Sequence, residues 1–362
     1  MILLSQTYAF ADPEAAFNSE VEVDVHYKKQ VPIYLQHDLG DVSIQGWNQD
    51  LIRVRLKKTV TADSETNANL IFKKFELVSL ETPNAVELRV GTPQGTDLLT
   101  KLRNRQQKKN IKVDLEIKAP ASLVLSILMG AEKKLILNQW RNKISITGKK
   151  NTLDLSKLRS SSPLNINCPD CSLTVSDSEF SGSILMSDQK IEMKKTKATP
   201  KPILIFTQKG EVSLEGTEGD IQIRTNSGDV FSKAHQGSIQ VQSETGKVNL
   251  VDLDGDADVQ SKLGEIKLTA NRIQNQLELK NTTGDIDITL PHEFKGEVNL
   301  QSIKGDVFSD FNIQKDKKKM EMLYGPELKG RIFGKIGDQN TLSVTAFSEN
   351  GKISLKQKEL SR

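Results

Sequence analysis

Residues 210–268 read GEVSLEGTEGDIQIRTNSGDVFSKAHQGSIQVQSETGKVNLVDLDGDADVQSKLGEIKL, and Gly recurs there at positions 210, 219, 228, 237, 246, 255 and 264, nine residues apart each time. After each Gly comes a polar or charged residue and, in most units, an apolar-polar-apolar triplet, as in GEVSL, GDIQI, GSIQV, GKVNL and GEIKL. Apolar side chains at i and i+2 leave the same face of an extended strand, so the unit is strand and not helix. Nine residues divide into roughly five of strand and about four of turn, where Gly supplies the positive φ of a tight corner. One such strand cannot bury its aliphatic pair alone, whereas copies stacked every ~4.8 Å bury them in a continuous column.

A slower rhythm overlies this one. The tetrads before the strands at 228, 246, 264 and 284 are TNSG, SETG, SKLG and NTTG, while the intervening turns are of other kinds. Alternate units are therefore alike, and one coil holds two of them. The fold expected is all-β: a parallel β-solenoid, a single-stranded β-helix of about 18 to 21 residues per coil. It is taken as right-handed by analogy with that fold class. An antiparallel sandwich of short hairpins is the rival architecture, because nine-residue spacing also suits it.

Outward from this stretch, the register continues through NQLEL, GDIDI at 284, GEVNL at 296, GDVFS at 305 and GKISL at 351. Upstream, apolar pairs step along the chain at Leu123/Leu125, Leu135/Leu137, Ile144/Ile146, Leu153/Leu155, Leu164/Ile166, Leu173/Val175, Ile184/Met186 and Ile203/Ile205, with an extra pair at Ile191/Met193. The solenoid is expected over 113–311. Residues 12–112 form a β-rich N-terminal cap that carries the repeat once at Gly40-Asp41, places Trp47 over an open end, and holds one short helix from Ser64, its N-cap, to Lys74. Residues 312–362 comprise an insertion with a lysine run and Pro326, then closing strands.

The chain has 362 residues, 36% hydrophobic and 5% aromatic, with 50 Lys and Arg against 47 Asp and Glu. A net charge of +3 names no partner, and so few aromatics argue against stacking on single-stranded nucleic acid or on sugars, and no nucleic acid is expected. Residues 1–11, ending in Ala9-Phe10-Ala11, resemble the cleavage end of a truncated signal peptide, and export to the periplasm or cell surface is expected. No apolar run reaches the ~18 residues of a transmembrane helix.

The G-D-[VI]-x-[ILV] unit, the segment LGDVSIQGWNQDLIRVRLKKTV and the extended VDLEIKAPASLVLSI resemble the bacterial "putative adhesin" domains of unknown function. The resemblance covers roughly residues 20 to 310 and implies a parallel β-solenoid at the surface or in the periplasm. Between about 149 and 209 Gly is scarce, and the register there is open.

Candidate chemistry is thin. Acidic residues after Gly, Asp41, Glu211, Asp220, Asp229, Asp256, Glu265, Asp285, Glu297 and Asp306, sit where carboxylates cap turn amides, and no calcium-binding nonapeptide accompanies them. Cys168 and Cys171 form CPDC with no helix following, which fits a local disulfide better than a redox motif, and no zinc pattern or cofactor motif is present. His26, His37, His235 and His292 are scattered. A basic loop with Lys101, Arg103, Arg105, Lys108 and Lys109 is a candidate for polyanions. Outward residues on one inferred face are Phe231, Asn249, Lys267, Asp287 and Phe308, and on the other Gln222, Gln240, Asp258, Glu278 and Asn299. Asp258 and Glu278 form the one carboxylate pair worth weighing for glycan cleavage. The expectation is a non-enzymatic, adhesin-like scaffold without cofactor or metal, binding an unknown surface protein or glycan. The rivals are a self-assembling envelope scaffold, a polysaccharide-acting β-helix enzyme and a sensor of lipopolysaccharide or antimicrobial peptides.

Overall fold

The computed structural model describes residues 15–27, 31–91, 110–315, 330–338 and 341–359. Through its middle the chain winds into coils of two short strands, one in each of two facing parallel sheets. The front sheet stacks Leu125–Met129, Ile144–Thr147, Leu164–Asn167, Glu179–Leu185, Lys197–Thr207, Ile221–Thr225 and Gln236–Ser243. The back sheet stacks Lys134–Asn138, Thr152–Ser156, Ser172–Ser176, Ile191–Lys194, Val212–Glu215 and Val230–Lys233. The long strand Val248–Ser261 serves both, its start pairing with Val230–Lys233 and its end with Gln236–Ser243. Partners are 18 residues apart at Ile221↔Ile239 and 21 apart at Gly182↔Ile203. Parallel pairing at one-coil separation establishes the β-solenoid and excludes the hairpin sandwich.

The core is the expected column of i, i+2 pairs. Ile221 and Ile223 of the front sheet, and Val248 and Leu250 of the back, are at most 1% exposed. The pairing shifts by two residues at one rung, where the inward positions are Leu125 and Ile127, matched to Ile144 and Ile146, in place of Leu123 and Leu125. Gly182 replaces an apolar residue at another rung, leaving Ile184 as its strand's inward aliphatic, with Met186 buried just beyond it. Between 149 and 209 the register is unbroken except for a bulge between Phe180 and Gly182. Gly is scarce there because the ladder positions carry other residues, Gln189 beneath Gly210 and Ala198 beneath Gly219, while the corner after each back strand is turned in the left-handed region by Gln139, Lys157, Asp177, Lys195, Gly216, Ala234 and Asp252 in series.

The nine-residue Gly rhythm resolves into two ladders, each with a period of eighteen residues. In one, Gly210, Gly228, Gly246 and Gly264 stack so closely that a Cβ on Gly246 would lie 2.1 Å from the carbonyl oxygen of Gly228. These glycines are required by backbone approach and not, as the turn argument expects, by positive φ. In the other, Gly219 and Gly237 combine close stacking with φ of +87° and +126°. The first residue of each tetrad turns inward and closes the corner: Thr225 Oγ1 accepts from the Gly228 amide at 2.9 Å, and Ser261 Oγ from the Gly264 amide at 3.1 Å. Each of these hydroxyls satisfies a backbone donor that burial would otherwise strand.

Carboxylates after Gly fasten one coil to the next. Asp229 accepts from the Lys247 amide and Asp285 from the Lys352 amide, both at 2.8 Å, and Asp41 accepts from the Lys134 amide at 2.9 Å. Asp256 accepts from the amides of Asn275 and Gln276 and from the Asn275 side chain. Burial alone would raise the Asp256 pKa, but these hydrogen bonds outweigh it and hold the carboxyl below the ordinary 3.8.

Both ends depart from simple winding. The strands Ile33–His37 and Val42–Trp47 form a full coil stacked on Leu125–Met129 and Lys134–Asn138. The column therefore starts near residue 33, inside the segment read as cap, and not at 113. Ala85–Gly91 and Ile111–Pro120 add an outer coil beyond it. Antiparallel strands Glu76–Thr82, Ile52–Ala62 and Ala15–Val25 then cover that coil, with Arg53 and Arg55 facing Asp24 and Glu22 across the last pair. The helix is Glu65–Phe72, with Ser64 as its N-cap. Trp47 is half-buried, its Nε1 donating to the Leu51 carbonyl, and Trp140 is the tryptophan that enters the core.

At the C-terminus the strands do not simply close the column. Ser343–Ser348 lies between Gln276–Asn281 and Gly296–Ser302, and Ile353–Gln357 between Ile286–Leu290 and Val307–Ser309. The last coil in sequence thus fills a slot one rung inside the end, and the Gly ladder runs 264, 284, 351, 305. Arg331–Ile336 covers the final front strand in antiparallel fashion.

Two measurements check this account. Gly246→Ala should lower stability by about 2–3 kcal/mol in denaturant unfolding, because its Cβ meets backbone that cannot rotate away. Gly91→Ala, where a Cβ meets nothing within 4 Å, should be near neutral. Because the folded pKa of Asp256 is depressed, its contribution is complete above the unfolded value and lost as pH falls through the folded one. The stability gap between wild type and Asp256→Asn should therefore narrow as pH falls below about 5 and continue to do so through the lowered folded pKa, and a gap independent of pH would contradict the clamp.

Candidate functional site

The stacking that fixes the core also fixes what faces solvent, since each outward side chain sits directly above its equivalent in the next coil. On the front sheet the outward residue after each inward pair forms a file of Leu185, Phe206, Arg224, Gln242, Gln260, Lys280 and Phe347, in register from strand to strand. The tetrad corners stand beside this file. Thr225 and Gly228 turn inward, so Asn226 and Ser227 project outward, and Gln208, Asn226, Glu244, Lys262 and Thr282 form a second file along the corner. Between the two files runs a groove of about 910 Å³. At ~4.8 Å per rung its floor extends about 29 Å along the column axis from Leu185 to Phe347.

The groove is apolar at its ends and polar in its middle. Leu185, Met186 and Phe206 line one end and Phe347 the other, with the carboxamides of Asn226, Gln242 and Gln260 between. The Arg224 guanidinium lies 5.8 Å from the centre of the Phe206 ring. Lys262 pairs with Glu244 at 2.6 Å and Lys280 with Glu278 at 2.5 Å, and the Glu278 hydrogen bond raises the Lys280 pKa.

The residues singled out from sequence are only partly brought together. Asp258 and Glu278 are register neighbours in the outward file next to the groove, where Asp258 accepts a 3.3 Å hydrogen bond from Gln260. That file runs Gln222, Gln240, Asp258, Glu278, with Thr345 of the inserted coil between Glu278 and Asn299. Phe231 and Phe308 lie on the back sheet, 37% and 57% exposed, and Ser354 separates Asp287 from Phe308. Lys101, Arg103, Arg105, Lys108 and Lys109 fall outside the described residues, as do residues 1–11. Cys168 and Cys171 form a disulfide and both are buried.

The two buried histidines belong to the core. His37 Nε2 donates to the Val113 carbonyl at 2.7 Å, and His235 Nδ1 lies 2.9 Å from Thr217 Oγ1. Burial pushes both below the usual histidine value. Among the described residues no three His, Cys, Asp or Glu side chains gather as a metal site, and no helix is long and apolar enough to cross a membrane. The groove file itself went unread in the sequence, although its signal is present: Phe206, Arg224, Gln242, Gln260 and Lys280 each follow an inward pair one coil apart.

A profile of the Toastrack DUF4097 family matches residues 96–336, a span that holds most of the coils. No curated protein matches the chain. Among solved structures, a "putative cell adhesion protein" from Clostridium sporogenes ATCC 15579 aligns over 94% of this chain and 100% of its own, at 12% identity and a TM-score of 0.20. A "putative lipid binding protein" from Parabacteroides distasonis ATCC 8503 aligns over 94% of this chain and 97% of its own, at 8% identity and a TM-score of 0.28. Superpositions this loose carry no argument, whereas the family match spans more than half of the sequence: the chain belongs to the Toastrack DUF4097 family.

Proposed function

We propose that this protein is a non-enzymatic, exported binding scaffold, adhesin-like in its mode of action, that holds an extended ligand along the front corner of its column. The observation that carries this reading is the groove from Leu185 to Phe347, which crosses successive coils and is built from side chains whose spacing is fixed by the sheet ladder. The backbone of such a groove is fixed by the sheet ladder, so binding would cost little further backbone entropy. Its polar groups are spread over successive rungs, which suits many modest contacts better than one reacting centre. Asp258 and Glu278 support the binding role as well. They lie on an open sheet face, and Glu278 is held by Lys280.

The test uses the purified full chain and isolated envelope material from the producing cells. Wild type should be retained by that material, and the double variant Asn226→Trp, Gln260→Trp, which fills the groove with the core untouched, should lose retention about 10-fold or more while melting as wild type does. Retention equal in both proteins would overturn the groove as the site. Release of reducing ends from envelope polysaccharide, abolished by Glu278→Gln, would overturn the non-enzymatic reading. Recovery of the chain only from the cytosolic fraction would overturn export.

A further inference from the structure

We infer that the occupant of the groove is a linear, uncharged glycan, laid along the column axis with its sugar rings against Phe206 and Phe347 and its hydroxyls on the carboxamide files between them. This rests on the groove-based reading above and adds the chemistry of the ligand.

Four features of the groove select that chemistry. The first is charge. Two of its three cations are neutralised locally, Lys262 by Glu244 and Lys280 by Glu278, and Arg224 lies against the Phe206 ring. A polyanion would have to displace two carboxylates, so the site favours a neutral chain. The second is donor and acceptor balance. Asn226, Gln242 and Gln260 each present a carbonyl and an NH2 group, a pairing that matches hydroxyls, which likewise donate and accept.

The third feature is the repeat. Outward positions recur once per rung, ~4.8 Å apart, close to the length one hexopyranose ring adds to a linear polymer. Successive rings therefore meet successive rungs, and about six rings fill the floor at that spacing. The fourth disfavours one rival, a peptide added to the sheet as a further strand. A peptide gains affinity on a sheet by main-chain pairing at an open edge. The groove lies on a sheet face whose backbone groups are already paired with the coils above and below. A sugar ring has no need of an edge, and an aromatic side chain at each end offers an apolar platform.

Titration calorimetry of the full chain against graded oligomers tests this. The probes are cello-, chito-, laminari- and malto-oligosaccharides of two to eight units, galacturonate oligomers of the same lengths, and an extended neutral peptide of similar span. At least one neutral series should bind, with affinity rising to about six units and then levelling. Phe206→Ala and Phe347→Ala should each weaken the longest oligomer about 5- to 10-fold, and Gln242→Ala with Gln260→Ala should do so without altering the melting temperature. Tighter binding of galacturonate or peptide, affinity independent of length, or no binding of any neutral series would overturn the inference. If envelope retention is still lost in the groove-filled double variant while every neutral oligomer fails, the scaffold reading survives and the glycan assignment falls. If retention is unaffected by filling the groove, the reading beneath it falls as well.

Discussion

The structure depends on one constraint: each coil must lie directly on the last with the separation of neighbouring β-strands, so that any position is packed against its own equivalent. Along the strands this is met by inward pairs such as Ile221/Ile223 beneath Ile239/Val241, which bury aliphatic surface without a break. At the corners it is severe, because turning backbone must stack on turning backbone. The ladder of Gly210, Gly228, Gly246 and Gly264 removes the Cβ that would collide with the carbonyl of the coil before. The tetrad hydroxyls then satisfy the amides the turn would leave bare, and the aspartates reach across to the next coil. Core, corner and clamp are three responses to the same spacing.

Much of this is legible in the repeat itself. Period-two apolar pairs and a helix capped by Ser64 are written locally, since each depends on residues within a few positions of one another, and two units per coil shows in the recurrence of like tetrads. Positive φ holds at Gly219 and Gly237 but is not what Gly210, Gly228, Gly246 and Gly264 are for, and the reason is physical. Positive φ is a property of one residue and can be guessed from a turn, whereas close approach involves a residue eighteen positions away and is visible only once the stacking is known. Likewise the coil at Ile33–Trp47 was hidden because the excursion from residue 48 to 124 separates it in sequence from the coil it packs against.

Stacking order, and not sequence order, also decides which surface residues become neighbours. From sequence alone Glu278 is followed on its face by Asn299, and Asp287 on the other by Phe308. The inserted C-terminal coil places Thr345 and Ser354 in those gaps, and with them Phe347 at the end of the groove. No local pattern announces this, because GKISL at 351 continues the rhythm equally well in either slot. The same insertion protects the column. A terminal coil held by strands on both sides cannot fray by simple peeling, since its removal would open two ladders at once.

A rigid column also separates the parts of the sequence that selection on folding controls from those it leaves free. Inward pairs, corner glycines and tetrad hydroxyls answer to stacking, and their identities follow from it. The outward file does not: a Thr, Ser or Lys at every rung would solvate the face equally well. Yet the run from Leu185 to Phe347 places two aromatic rings around a block of carboxamides and locally neutralised lysines, and it does so next to a corner file that supplies the opposite wall. Stability does not require that sequence of residue types, and solubility alone would not place Leu185 and Phe206 half in water on adjacent strands. Where the fold is indifferent to a choice and the choice is nonetheless patterned along the axis, the pattern is better explained by what the face touches than by what it covers.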